Sequence, residues 1–204
     1  MKSFLKIILV SLTFLGIVFG QANMANTKHD LTYSSNTYYS ADTDQICVFC
    51  HTPHKAASND LLWQRSVPFS VSFTMFEAGS QTADSLEYES RACLSCHDGS
   101  TAFNTLANAP GSGGLNSAVT MNGGNDQISA GATNLGQDLR DDHPVGVVLP
   151  TGTGWNTPTS ALLYGTGNDQ VECASCHNPH EGTNTMFLRA SNAASALCID
   201  CHDK

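Results

Sequence analysis

Four copies of one five-residue motif, CxxCH, use every cysteine of the chain. In this motif an imidazole directly follows two thiols three residues apart, the spacing that attaches a c-type haem through two thioethers and binds its iron on one face. The sequence therefore predicts four covalently bound haem c groups. The predicted thioether residues are Cys47, Cys50, Cys93, Cys96, Cys173, Cys176, Cys198 and Cys201, and the predicted proximal iron ligands are His51, His97, His177 and His202.

Paired cysteines have two other common uses. CxxC pairs also build zinc sites and redox dithiols, and eight cysteines in an exported chain could form a disulfide framework. A disulfide framework explains the even number of cysteines but not the four histidines that follow them. A zinc ribbon has no need of a histidine at that position, so the repeated CxxCH favours haem over both.

The chain has eight histidines, and the four outside the motifs provide one further ligand for each iron. If each is a distal ligand, every haem is held by two histidines and no iron keeps an open position. That ligation predicts electron transfer, with no catalytic residue. The predicted distal ligands are His29, His54, His143 and His180.

Two of these histidines share one setting. His54 follows His51 by three residues, and His180 follows His177 by three, each time after a proline. Three residues cannot carry the chain around a porphyrin to its opposite face, so each must bind the iron of a different haem and hold two haems close together. The alternative is a turn histidine beside proline.

His143 and His29 have weaker settings. His143 follows two aspartates, which could simply hold a surface histidine. His29 lies in a polar terminus that would need a partner to become ordered, either an iron of its own chain or one of a neighbouring subunit. If His29 is not a ligand, one haem needs another donor or keeps an open site. The methionines available for that role are Met24, Met75, Met121 and Met186.

Residues 1–22 have the pattern of a signal peptide. Lys2 and Lys6 precede an uncharged run over 7–19, and small residues at 20–22 suit a cleavage site. The uncharged run is shorter than the roughly 20 residues of a spanning helix, which disfavours a retained anchor. The sequence predicts an exported protein with no membrane span after cleavage, located outside the cell or on its surface, with the periplasm as the alternative.

The predicted mature chain is acidic. It keeps seven basic residues against 18 acidic ones, a formal charge of −11. Nucleic acid is excluded as a partner because phosphate binding needs clustered Lys and Arg. A negative surface is compatible with basic partners or metal cations.

Little of the chain has a regular hydrophobic period. Residues 98–137, rich in Gly, Asn and Ser, are predicted to form a long loop ordered by something other than a hydrophobic core. A strand is predicted over Val67–Phe73 and a short helix within Ser191–Cys201. The predicted fold is mostly irregular coil with short helices and few short strands, in one tetrahaem cytochrome domain over 23–204. Because four covalent haems organise this fold, we expect the haem-free chain to be largely unfolded.

Further segments resemble the paired-CxxCH multihaem cytochromes over nearly the whole mature chain. With four motifs in a compact exported chain, the closest resemblance within that group is to the tetrahaem outer-surface cytochromes that polymerise into extracellular nanowire filaments. The segments that carry the resemblance are the two CxxCHxPH stretches, Leu62–Arg65 with Pro68 and Phe73–Phe76, Cys93–Gly99, Asp141–Val145, and Phe187–Arg189 to Cys201–His202.

This resemblance implies haems stacked in an unbroken line and one distal histidine supplied across the subunit boundary. His29 is the expected inter-subunit ligand, because a mobile terminus can reach another subunit. The implied function is extracellular electron transfer as a homopolymer, with other redox cytochromes or extracellular electron acceptors as partners. A monomeric electron shuttle is the first alternative, and a haem reductase with one open iron, such as a nitrite or hydroxylamine reductase, is the second.

Overall fold

The computed structural model describes most of the chain outside its first residues. The described residues are 24–58, 60–68, 73–76, 86–110 and 119–204. The signal peptide predicted over 1–22 lies outside them, as do residues 69–72 of the strand predicted over Val67–Phe73.

Helices in the described residues are few and short. The α-helices are α1 (Tyr88–His97), α2 (Cys173–Cys176) and α3 (Ala196–Ile199). The 3₁₀ turns are Ile46–Phe49, Asp60–Leu62, Asn122–Gly124, Thr185–Phe187 and Ala193–Ser195. The short helix predicted within Ser191–Cys201 is confirmed by α3 and the turn before it.

Each CxxCH motif overlaps one of these helical segments. The first motif begins in the turn Ile46–Phe49, the second ends α1, the third begins with α2, and the fourth overlaps the end of α3. A helical turn brings residues three apart to the same face. The local conformation therefore presents both cysteines of a motif on one side, as two thioether bonds to one haem require.

Extended structure in the described residues amounts to one small sheet. β1 (Val147–Val148) pairs antiparallel with β2 (Gln170–Val171), and Val147 lies opposite Val171. Several isolated bridges join other segments. The prediction of mostly irregular backbone with short helices and few short strands is confirmed for these residues.

The first hydrophobic cluster corrects the expectation for residues 98–137. Six of its eight buried side chains come from the described parts of that segment, 98–110 and 119–137, so apolar packing orders those parts. Residues 111–118 lie outside the described residues. Gly123 and Gly124 turn the segment with φ of 65° and 72°, a conformation that glycine adopts without steric cost. The cluster consists of Val48, Phe49, Phe103, Leu106, Ala109, Val119, Met121 and Ile128.

Two smaller clusters support other motifs. The second contains Leu94, which lies inside the second motif and is fully buried. The third contains Val147, Leu149 and Val171, with Cys201 packed at its edge. Each cluster thus packs against part of a CxxCH motif. No helix in the described ranges is long and apolar enough to cross a membrane.

Candidate haem sites

Three of the four motifs are held by the same backbone frame. In each, the motif histidine forms a β-bridge with a residue from a distant segment, and the residue after that partner donates its N–H to the carbonyl of the second motif cysteine. The bridges are His51 with Trp63, Trp155 with His202, and His177 with Leu188. The N–H donors are Gln64 to Cys50, Asn156 to Cys201, and Arg189 to Cys176, each at 2.8 Å.

The same three donor residues grip the motif a second time through their side chains. Gln64 Nε2 donates to the carbonyl of Val48 at 2.8 Å, Asn156 Nδ2 to Ile199 at 2.9 Å, and Arg189 Nε to Ala174 at 2.7 Å. The accepting residue is always the first x of CxxCH. Sequence reasoning missed this role because the three residues differ in type. The shared signal is the aromatic or leucine residue that precedes each of them.

The frame makes a prediction for Gln64, which is fully buried. Besides the Val48 contact, its amide donates to the carbonyl of Asn108 at 3.0 Å and accepts the N–H of Asn108 at 2.9 Å. Gln64→Ala leaves these buried groups unpaired, so we expect a loss of about 3 kcal/mol in the free energy of unfolding. Denaturant unfolding of the haem-loaded protein measures it.

Gln127 provides the matched control. It is exposed and donates one hydrogen bond, to the carbonyl of Ser100. Gln127→Ala should change stability by less than about 0.5 kcal/mol. Equal losses of unfolding free energy in Gln64→Ala and Gln127→Ala would show that the hydrogen bonds of Gln64 stabilise the protein no more than an exposed hydrogen bond does.

Three motif histidines are oriented by backbone carbonyls. The Nδ1 atom of His51 lies 2.6 Å from the carbonyl oxygen of Leu61. The corresponding distances are 2.8 Å from His97 to Thr133 and 2.7 Å from His177 to Met186. A ring that donates Nδ1–H to a carbonyl keeps a lone pair on Nε2, the arrangement typical of metal-binding histidines.

Two of these carbonyls come from unusual backbone. Leu61 and Met186 have φ of 53° and 56°, in the left-handed region that costs non-glycine residues about 1–2 kcal/mol. Such strain persists where the surroundings enforce it, and it concentrates at functional sites. The strained turns present the carbonyl to the histidine on the side away from Nε2.

Three pairs of imidazoles lie at one characteristic separation. Two imidazoles bound to opposite faces of one metal ion, with metal–nitrogen bonds of about 2 Å, have ring centroids about 6.4 Å apart. The observed centroid distances are 5.9 Å for His51 and His180, 6.1 Å for His97 and His29, and 6.3 Å for His202 and His143. Each pair joins one predicted proximal ligand to one predicted distal ligand.

Zinc needs a different arrangement. Structural zinc sites gather four Cys or His ligands around one ion. Within the described ranges no group of three or more His, Cys, Asp or Glu side chains is arranged to hold a metal ion. The observed groups are instead pairs of imidazoles, and one imidazole of each pair belongs to a CxxCH histidine. Two imidazoles suit an iron whose other four positions are filled by a porphyrin.

His54 and His177 remain outside these pairs. The described residues bring no other ring into contact with His177, whose ring contacts the Met186 carbonyl. His54 is exposed, and its carbonyl accepts the Asn108 side chain at 3.2 Å while its ring has no partner among the described residues. One predicted proximal ligand and one predicted distal ligand thus lack an imidazole partner within a single chain.

His29 is packed as an internal residue. Its ring stacks on Phe187 with centroids 4.4 Å apart, and its Nδ1 is buried without a hydrogen-bond partner. Burial, assisted by the His97 imidazole and opposed by the Pro179 carbonyl, lowers the pKa of His29 to about 4. The ring is therefore neutral at pH 7, the form in which imidazole binds iron.

The eight cysteines all lie in the described ranges. Burial raises the pKa of Cys50 to about 12, and Cys96 contributes to that shift. A hydrogen bond to Cys173 raises the pKa of Cys93. Burial also raises the pKa of Cys176, with Cys201 contributing. Cysteines of successive motifs thus lie close enough together to influence one another electrostatically.

Exposed apolar side chains flank the motif histidines. Leu61 and Leu62 are each 48% exposed beside His51, and Met186 is 72% exposed beside His177. Apolar side chains next to an imidazole suit a haem, which is itself a large apolar group, so the residues present fit the group.

The fourth motif has an additional anchor. The Asp200 carboxylate accepts hydrogen bonds of 2.8–2.9 Å from Thr159, Ser160 and Ala161. Burial opposes ionisation of Asp200, but these bonds prevail and lower its pKa to about 2. Ionised Asp200 therefore stabilises the loop over residues 159–161 against the motif.

Asp200→Asn should lower the free energy of unfolding by about 1 kcal/mol at pH 7, a figure discounted for solvent screening. A carboxyl whose pKa is lower in the folded state contributes stability above its unfolded pKa of about 4 and loses it as the pH falls toward 2. The difference between Asp200→Asn and the parent should shrink over that range. Denaturant unfolding at pH 7, 4 and 3 measures it, with exposed Asp169→Asn as control. A difference independent of pH would contradict the assignment.

Comparison with known proteins supports the chemical assignment. Residues 167–204 match the family model of the doubled CXXCH motif, which covers the third and fourth motifs. A comparison with proteins of curated function finds no match to the chain. The doubled motif indicates covalently bound haem c and supports a multihaem c-type cytochrome with a role in electron transfer.

Proposed function

We propose that this protein transfers electrons through four haem c groups, each held by two histidines, as the repeating subunit of an extracellular filament. The observation that carries the proposal is the set of three imidazole pairs with centroids 5.9–6.3 Å apart, each containing one CxxCH histidine. The haem irons supply one-electron chemistry when bound. The chain supplies covalent attachment, axial ligands and insulation from water.

The ligand pairs follow from the ring distances. His180 would bind the same iron as His51, His29 the same iron as His97, and His143 the same iron as His202. His180 lies three residues after His177, so this assignment joins the haems of the first and third motifs through one short segment. Such cross-ligation holds two haems close together.

The fourth ligand pair would form between two copies of the chain. Among the described residues no other imidazole ring is in contact with His177, and none is in contact with exposed His54. If His54 of one subunit binds the iron at His177 of the next, that iron gains its second ligand and His54 gains a metal to bind. That contact is heterologous, and repeated contacts of this kind build open filaments. In this proposal His54 replaces His29, to which sequence reasoning gave the inter-subunit role, because His29 lies beside His97 of its own chain.

One observation favours a second candidate function. If the chain remains a monomer, the iron at His177 has no second imidazole from the described residues and keeps an open position. An open iron is what a haem reductase needs. A monomer whose four irons nevertheless all have two ligands would instead be an electron shuttle.

Negative-stain electron microscopy of native protein sheared from cells, with electron paramagnetic resonance and intact mass of the same sample, tests the proposal. Thin filaments, four haems per chain and low-spin signals alone are the expected result. Monomers with low-spin signals alone would support the shuttle and overturn the filament. Monomers with a high-spin signal would support the open iron site, and fewer than four haems would overturn the proposed haem count.

A further inference from the structure

Arg65 is a buried cation without a counter-charge. Arg65 is only 3% exposed. Its guanidinium donates hydrogen bonds to the carbonyls of Phe49 at 2.5 Å, Ala102 at 3.0 Å and Phe103 at 3.1 Å. Its Nε is buried and has no hydrogen-bond partner. Among the described residues no carboxylate forms an ion pair with it.

The charge lies between two attachment sites. Phe49 stands between the two cysteines of the first motif, while Ala102 and Phe103 follow the second motif. The guanidinium thus contacts the first motif directly and contacts the segment that follows the second motif. Any haem bound to these two motifs therefore lies within the field of Arg65.

Burial of an unpaired charge is costly, usually by several kcal/mol. A neutral amide can donate to buried carbonyls without that cost, as the neighbouring Gln64 does to Val48 and Asn108. Hydrogen bonding alone thus does not require an arginine here. The charge itself needs an explanation, and the adjacent haems provide one.

We propose that Arg65 is a tuning residue that raises the reduction potential of the haem at the first motif and, to a smaller extent, that of the haem at the second. A haem iron loses one unit of positive charge when it gains an electron. A fixed cation nearby disfavours the oxidised form, and low local dielectric makes the effect larger. This effect would shift electrons toward the haem at the first motif.

This inference rests on the proposed function only in that haem must be attached at Cys50 and Cys96. It does not depend on polymerisation or on the ligand at His177. Mass spectrometry and microscopy test those points separately, so failure of the filament proposal would leave this one intact.

Spectroelectrochemical titration of haem-loaded Arg65→Gln, Arg65→Lys and the parent protein is the test. Arg65→Gln keeps amide donors but removes the charge, and it should lower at least one midpoint potential by an amount equal to about a tenfold change in the one-electron equilibrium constant, or about 59 mV. Arg65→Lys should retain most of the parent potential. Arg140→Gln is the control, because Arg140 is exposed and paired with Asp138 at 2.6 Å, and it should leave the potentials unchanged.

Unchanged potentials in Arg65→Gln would overturn the proposal, as would equal shifts in Arg65→Gln and Arg65→Lys, since the latter keeps the charge. If Arg65→Gln fails to accumulate with haem, Ala102→Asp provides the second test. It places a carboxylate at a residue that already contacts the guanidinium, so it offsets the field while Arg65 stays in place. The same potential should fall, and an unchanged potential would count against the tuning role.

Discussion

Replacing His54 with alanine is expected to abolish filaments and leave one five-coordinate, high-spin haem in every chain. The His54 ring is exposed and has no partner among the described residues, so its loss should change the stability of a single chain by no more than about 0.5 kcal/mol. The bond it would make to the next subunit, in contrast, would be a metal–ligand bond at the centre of the interface. Negative-stain microscopy and electron paramagnetic resonance measure the two effects.

His29→Ala is the matched variant. It also removes one proposed distal ligand, but from an iron within the same chain, because the ring centroids of His29 and His97 are 6.1 Å apart. We expect a high-spin signal with filaments retained. If His29→Ala dissolves the filaments and His54→Ala does not, the terminus is the bridge and the assignment made here is reversed. Filaments in both variants would show that neither His29 nor His54 connects the subunits, and would overturn the proposed bridge.

The motifs specify the local structure around each site but not which sites meet. CxxCH predicts two thiols and an imidazole on one helical turn, because that relation is set within five residues. The pairing of His51 with His180 joins residues far apart in the chain, and it depends on how irregular segments pack. Only the expectation that His180 binds the iron of a different haem could be drawn from its distance to His177.

The segment over residues 98–137 shows a second limit. Its apolar residues Phe103, Leu106 and Met121 enter the core singly, with irregular spacing. A period appears only when a helix or strand repeats its geometry, so irregular backbone buries side chains without leaving one. Gln64, Asn156 and Arg189 were missed for a related reason. What they share is a side-chain hydrogen bond to the carbonyl of the first x residue of a CxxCH motif, which an amide or a guanidinium can donate equally well.

Protein made without haem attachment is expected to be largely unfolded, with a coil-like circular dichroism spectrum and no cooperative thermal transition. The described core is divided into three separate clusters of eight, five and three buried residues. Each cluster packs against part of a CxxCH motif, so four haems would add apolar surface to clusters that are small on their own.

Substitution of all eight cysteines by alanine gives the haem-free chain in a form that cannot form disulfides. The control replaces only Cys198 and Cys201, which removes one haem and its staple near the C-terminus. That variant should keep a cooperative transition at a lower temperature, because the first two clusters and three motifs remain. Native-like circular dichroism with a cooperative transition in the haem-free chain would show that side-chain packing alone specifies the fold. The haems would then not be needed for folding.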